Sequence, residues 1–514
     1  MNSDIDLKTN KDRHMKNKIL YITIIFALLN VKCTDLEEEL FDKVESSQYG
    51  KTPAEIETIV GQAYSSLRGF RDDNSISYPT CEYVFFLVEC VSDEACIPTR
   101  GTDWYDGGRY QEAQFHTWTP DNAMVLSAWR YLYEGISSVN AVIYQVEQSE
   151  LTDEGKDNIK SELRGLRAYY YYNLIDLFGN VPITTSYEDL ELPATSTREE
   201  VYDFVESELL EIMDYLPEEI IYGRFTYNVA NTLLARLYLN SEVFIGEESW
   251  QDCIDACDKV AGYQLENDYF ANFLTDNTAS KENIFVIPYD HKAGTLGNYL
   301  HSMTFHYYQP YVLTTDGSYP WCANGICGQP GLYSSFDDDD LRKKSMLIGE
   351  QTRLSDGSVI LMDDGNPLNY TEEVVDFVAA AQNEGVRLMK YEVKADEVWE
   401  RDHDWVLMRY AELLLMKAEC YIRLGSPALA RPLIASVRER AGLDTQETVD
   451  LDFLDDELKR EFVFEGHRRT DNIRMGDFFE SWWNKGATED YRGIFPIPQT
   501  ELDKNTRLVQ NPGY

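Results

Sequence analysis

Apolar residues along this chain recur mostly at the helical interval. Leu163, Leu166, Tyr170, Leu174 and Leu177 share one helix face. Gly179 and Pro182 stop that helix. Val229, Leu233 and Leu237 form a second stripe, with Ala230, Leu234 and Tyr238 beside it. Leu407, Ala411, Leu414, Ala418 and Tyr421 form a third, which ends at Gly425. Ser426 then caps a new helix, with Pro427 at its first position. Helix, tight turn and antiparallel partner resemble the tetratricopeptide unit, and Ala at contact positions fits it.

These patterns predict a mostly α fold built from helix pairs: 54–70 with 122–148, 154–178 with 199–216, 226–241 with 249–261, and 405–424 with 426–441. The repeats thus occupy about 54–261 and 405–441. Because one repeat cannot bury its own face, the separated pairs must pack together. Pro432 inside the last helix should kink it or leave a carbonyl without its donor. The interval 262–400 has weak periodicity and is rich in Gly, Asp, Asn, Tyr and Pro, with a strand-like piece at Asn283–Tyr289. Long irregular intervals of this kind usually carry function. The stretch 81–121 has the same character.

The amino terminus reads as an export signal. Lys16 and Lys18 precede an apolar run, Ile19 to Leu29, that is too short to span a bilayer. Residues 1–32 are therefore read as a leader, with Met15 as an alternative start, and 33–514 as one domain. Cys33 and the acids that follow it (Asp35, Glu37, Glu38, Glu39) look like the lipidated cysteine and export tract of a bacterial lipoprotein. Asn30 and Lys32 depart from the usual residues before such a cysteine.

Charge narrows the partners. The chain carries 46 basic and 90 acidic residues, a net −44, which argues against nucleic acid and against adsorption to anionic lipid through protein charge. The only membrane association expected is through a lipid anchor. An aromatic content of 13% argues against disorder. Export permits disulfides. Cys322 and Cys327 flank a turn-rich Ala-Asn-Gly-Ile and are a candidate loop bridge, whereas Cys253 and Cys257, at i and i+4, read as small core residues.

Four stretches resemble the SusD/RagB family of outer-membrane nutrient-binding lipoproteins. They are Arg164–Ile183 (RGLRAYYYYNLIDLFGNVPI), Arg409–Glu419 (RYAELLLMKAE), Glu461–Arg469 (EFVFEGHRR) with Asp471, and the closing Phe495–Pro498 and Gln510–Tyr514. They occur in the family's order and reach the terminus. The resemblance implies a SusD-like fold at the cell surface of the outer membrane. It implies a protein that captures an oligosaccharide and hands it to a TonB-dependent transporter, with helical repeats facing the transporter and loops building the ligand site. Some members take peptides or glycoproteins, which is the rival within the binding class; an exported glycosidase is the rival among enzymes.

Sugar rings present flat C–H faces that stack on Trp and Tyr while polar side chains bond the hydroxyls. Two loops fit that need. One is Arg100–Tyr110, with Trp104, Tyr105 and Tyr110; the other is Asp316–Cys327, with Tyr319, Trp321 and Asn324, fixed by the candidate Cys322–Cys327 bridge. His306, Tyr307 and Tyr308 are weaker candidates, for which packing in a strand or helix is an equal reading. Calcium is a candidate cofactor at Asp337–Asp340 or at Asp363–Asn366 with Glu372, although neither has EF-hand spacing and solvated acidic loops explain both better. No HExxH, GxSxG, Walker or GxGxxG motif occurs, so a non-enzyme is expected. His467, beside Arg468 and Arg469, reads as structural.

Overall fold

The structure, a computed structural model, describes residues 52–71, 76–77, 84–290, 292, 297–307, 322–353, 356–393 and 402–514. The leader 1–32 and Cys33, Cys81, Tyr308, Tyr319 and Trp321 lie outside them.

The principal helices are α1 (Pro53–Ser65), α2 (Ala123–Glu147), α3 (Asp153–Leu177), α4 (Arg198–Ile212), α5 (Tyr227–Leu239) and α6 (Trp250–Lys259). After the loop-rich interval come α7 (Tyr410–Arg423), α8 (Pro427–Arg440), α9 (Leu451–Glu461) and α10 (Arg468–Met475). None is long and apolar enough to cross a membrane among the described residues.

Threonines start four of these helices. Thr52 and Thr197 make full capping boxes with Glu55 and Glu200, while Thr152 and Thr226 accept from Gly155 and Val229 backbone N–H groups. Each such cap is worth about 1 kcal/mol. Gly179, at φ 67°, closes α3. Its N–H donates to the carbonyls of Leu174 and Ile175. Ser426, by contrast, makes no side-chain cap bond, so Pro427 alone marks the start of α8. Pro432 lies inside α8 without ending it, and Pro432 and Ala428, whose carbonyl loses its helical donor, are both exposed to solvent.

Each predicted helix pair forms: α1 packs on α2, α3 on α4, α5 on α6 and α7 on α8. In addition α2 packs on α3 and α6 on α7, so the repeats join across the long irregular interval. The α2–α3 contact is close because Gly135 has no side chain. A Cβ there would stand 2.3 Å from Cζ of Tyr170. The Tyr170 ring is fully buried, and its hydroxyl still reaches Ser66 Oγ at 2.8 Å.

The predicted helix start at 405 is wrong. Trp405–Arg409 is a strand that pairs antiparallel with Asn283–Ile287, and the helix begins at Tyr410. Leu407 therefore leaves the helical stripe, while Ala411, Leu414 and Ala418 join Ala430, Ile434, Val437, Leu454 and Leu458 in a core between α7, α8 and α9. The remaining sheets are two-stranded ribbons. Two strands matter below: β1 (Ala95–Cys96) and its antiparallel partner β2 (Cys327–Gly328).

The carboxyl-terminal motifs are ties. Arg469 donates to Asp176 Oδ2 on α3 at 3.0 Å and to the Gly493 carbonyl at 2.6 Å. Asn511 donates to the carbonyls of Phe178 and Phe495, fixing the tail beneath the end of α3. Arg409 bonds Glu282, Glu461 and Glu465, and Arg342 bonds Asp340, Glu457 and Glu461, all in the interior. This network fastens the irregular interval to α9 and to the strand before α7.

Candidate functional site

The chain leaving β1 makes a tight turn, with Arg100 and Asp103 exchanging two backbone hydrogen bonds of 3.0 and 3.1 Å around Gly101. Trp104 follows at φ 61° and Asp106 at φ 41°. Left-handed backbone at residues with a side chain costs about 1–2 kcal/mol each. Tertiary contacts hold it at Trp104: the indole N–H donates to the Ala323 carbonyl at 2.7 Å, and the ring packs 5.4 Å from that of Tyr110. Asn324, next to the acceptor, is itself at φ 53°. Strained residues thus face each other from two loops far apart in sequence, a pattern that clusters at ligand sites.

The site candidates separate by exposure. Tyr105 is 53% exposed and Trp104 is half-buried. Tyr110 is buried between Trp104 and Phe86, a support for the indole rather than a contact surface. Asn324 is also fully buried. Its Nδ2 donates to the backbone and side-chain oxygens of Gln382, and its Oδ1 accepts from Arg387 at 2.8 Å. The expectation that Asn324 bonds ligand hydroxyls is therefore corrected: its amide nitrogen braces Gln382 and its amide oxygen is taken by Arg387.

The expected Cys322–Cys327 bridge is not formed. Neither sulfur is in a disulfide. Strand pairing places Cys327 opposite Cys96 instead, with the sulfurs 3.7 Å apart, while Cys322 packs against Phe305.

Beside the Trp104 turn lies an open pocket of about 350 Å³ whose lining includes His306, Tyr307, Asp363, Gln382 and Asn383. Tyr307 connects the two features, since its hydroxyl donates to Asp103 Oδ2 at 2.5 Å. Burial first, and then the bond to Asp103, hold the Tyr307 phenol protonated well above its usual range. Burial, with Arg387 and Arg100 adding to it, brings His306 down to about 4. At neutral pH the pocket therefore presents a neutral imidazole, a phenol ring, amides and carboxylates. Sequence alone marks Tyr307 and His306 only weakly, because an aromatic run in an irregular stretch does not say which rings face solvent.

A larger groove of about 510 Å³ lies between α2, α3 and α4. Its arginines are already engaged: Arg164 with Glu208 and Glu211, Arg167 with Glu208. Calcium finds little chemistry. Asp364 caps its own turn through Asn366, Glu372 holds Ser334, and Asp340 binds Arg342. Among the described residues no group of three His, Cys, Asp or Glu is placed to hold a metal.

Comparison with known proteins agrees with this architecture. Residues 281–514 match the model of the SusD family, and residues 95–239 match one described as starch-binding associating with outer membrane. The starch-binding protein SusD of Bacteroides thetaiotaomicron is 27% identical over 461 residues, covering 80% of this chain and 82% of that protein. A SusD-like protein of Formosa agariphila is 26% identical, covering 97% of this chain and all of the other. Among solved structures, a laminarin binding SusD-like protein superimposes with a TM-score of 0.72 at 24% identity, over 90% of this chain and all of the other. Surface glycan-binding protein A of Bacteroides thetaiotaomicron, in complex with laminarihexaose, also gives 0.72, at 22% identity over the same shares.

Proposed function

The chain belongs to the SusD/RagB family, and from that premise we propose that it is a non-catalytic cell-surface receptor for an oligosaccharide. It captures the sugar at the pocket beside Trp104 and passes it to a TonB-dependent outer-membrane transporter, held at the membrane by lipid on Cys33. The observation that carries the reading is the Asp103–Tyr307 bond, which ties the turn of half-buried Trp104 and exposed Tyr105 to a pocket lined by an aromatic ring, amides and carboxylates. Rings supply stacking area at low entropic cost, and the amides and acids supply hydroxyl partners. The names of its relatives, which bind starch and laminarin, support a glycan rather than a peptide as the cargo.

Asp363 and Asp364 at the pocket, in a chain of net charge −44, favour an uncharged sugar over a uronate or sulfated one. Calorimetry of the mature chain against starch-derived, laminarin-derived and acidic oligosaccharides tests this. Binding of a neutral oligosaccharide without release of new reducing ends is expected. Turnover of the sugar, or binding of peptides alone, would overturn it. Loss of membrane association in a Cys33→Ala variant tests the anchor.

A further inference from the structure

We propose that Cys96 and Cys327 become a disulfide when the chain folds in an oxidising compartment, and that the bond locks the two loops carrying the Trp104 platform. The locking rests on the binding reading above; the bond itself does not.

Cys96 and Cys327 stand directly opposite in the β1–β2 ribbon, both without solvent exposure, with sulfurs 3.7 Å apart. A bonded separation is about 2.05 Å, so the sulfurs need to approach by less than about 2 Å. The surroundings suit thiol exchange. Arg100 Nη2 donates to Cys327 Sγ at 3.4 Å. The other hydrogen bonds of Arg100 go to the carbonyls of Asn324, Ala381 and Glu384. Those of Arg387 go to the carbonyls of Glu384, Gly385 and Gln382 and to the Asn324 amide oxygen. None of these partners is a carboxylate, so a thiolate at Cys327 is the anion this pair of guanidiniums can gain.

Burial pushes the Cys327 thiol up, but the Cys96 hydrogen bond and the two guanidiniums outweigh it and bring it down to about 6. Burial first, and then Cys327, hold the Cys96 thiol well above its usual range. One sulfur is thus an anion and its neighbour keeps its proton.

The oxidant is a disulfide-bearing molecule, either a low-molecular-weight disulfide or an exported thiol oxidase. The Cys327 thiolate attacks one of its sulfurs; that S–S bond breaks and one half leaves as a thiolate. Cys96 gives its proton to that leaving thiolate and attacks the Cys327 sulfur, expelling the second half as a thiolate that takes a proton from water. Two electrons pass from the cysteine pair to the oxidant, which ends as two thiols. Because both sulfurs are shielded once the ribbon is fully packed, exchange belongs to the stage of folding after export at which β1 and β2 come together beside Arg100 and Arg387.

The consequence is local and long-range together. Cys96 lies four residues before the turn that carries Trp104, and Cys327 lies just after Ala323, the acceptor of its indole N–H. One bond joins the ring's own loop to the loop that seats it, across 231 positions of sequence.

The test is a peptide map of the mature chain folded in a glutathione redox buffer, alkylated under denaturing conditions and digested. A peptide pair joined through Cys96 and Cys327 is expected, and Cys96→Ser should return Cys327 to full alkylation. Alkylation of both residues in the wild type, or a Cys322–Cys327 peptide, would overturn the proposal. Reductant should lower the unfolding midpoint of the wild type and leave that of Cys96→Ser unmoved; equal wild-type midpoints would remove the lock. A mapped bond in a chain that binds no glycan would remove the binding reading and leave this one standing.

Discussion

The indole of Trp104 fills the space that a side chain at Gly325 would need: a Cβ built there stands 2.3 Å from Cζ2. The ring's seat therefore depends on a glycine more than two hundred residues away. Gly325→Ala should displace the indole, cost about 1–3 kcal/mol of stability and weaken oligosaccharide affinity. Thermal unfolding and calorimetry on one preparation check it; unchanged values of both would show that Trp104 is not seated as described.

Tyr307 and Tyr105 test the pocket more directly. Tyr105→Ala removes an exposed ring and should leave the unfolding midpoint nearly unchanged while lowering affinity. Tyr307→Phe keeps the ring and deletes the bond to Asp103, costing about 1–2 kcal/mol. If affinity for every oligosaccharide survives both changes, the sugar lies elsewhere.

The buried network around Arg409 predicts a large effect. Arg409→Met leaves Glu282, Glu461 and Glu465 without one of their cations in the interior. Breaking a buried pair by removing one partner costs about 3–5 kcal/mol. Denaturant unfolding should show a loss of that size, and a loss under 1 kcal/mol would mean that water reaches the cluster.

Glu89 and Glu94 predict a pH dependence of known sign. Burial first holds both carboxyls above the usual range, against bonds from the backbone N–H groups of Phe464, Gly466 and His467. The folded chain therefore binds protons more tightly here than the unfolded chain does. Their contribution is full below the ordinary carboxylate value of 4.5 and is lost as pH rises above it. Glu461 and Asp93 oppose this: despite burial, their arginines hold them low, so their contribution fades as pH falls below about 4. Glu94→Gln keeps an acceptor for Phe464 and should flatten the decline in unfolding midpoint between about pH 5 and 7.5. An unaltered slope in that variant would assign the decline to other groups.

Periodicity placed the helix pairs, because an amphipathic helix writes its buried face every third or fourth residue, and Gly, Pro and capping residues marked several of their ends. Charge and family motifs were equally local in character, and so were legible. The strand at Trp405–Arg409 was not: a short apolar run ahead of a helix continues its period, and only pairing with Asn283–Ile287 distinguishes the two. The site divided in the same way. Local sequence supplied rings on irregular backbone, but burial is a property of what packs on them. Hence Tyr105 faces water while Tyr110 lies under the indole, Asn324 braces Gln382, and Cys327 meets Cys96 rather than its neighbour in sequence. Contacts between residues hundreds of positions apart are set by the packing of the whole chain, and no local spacing encodes them.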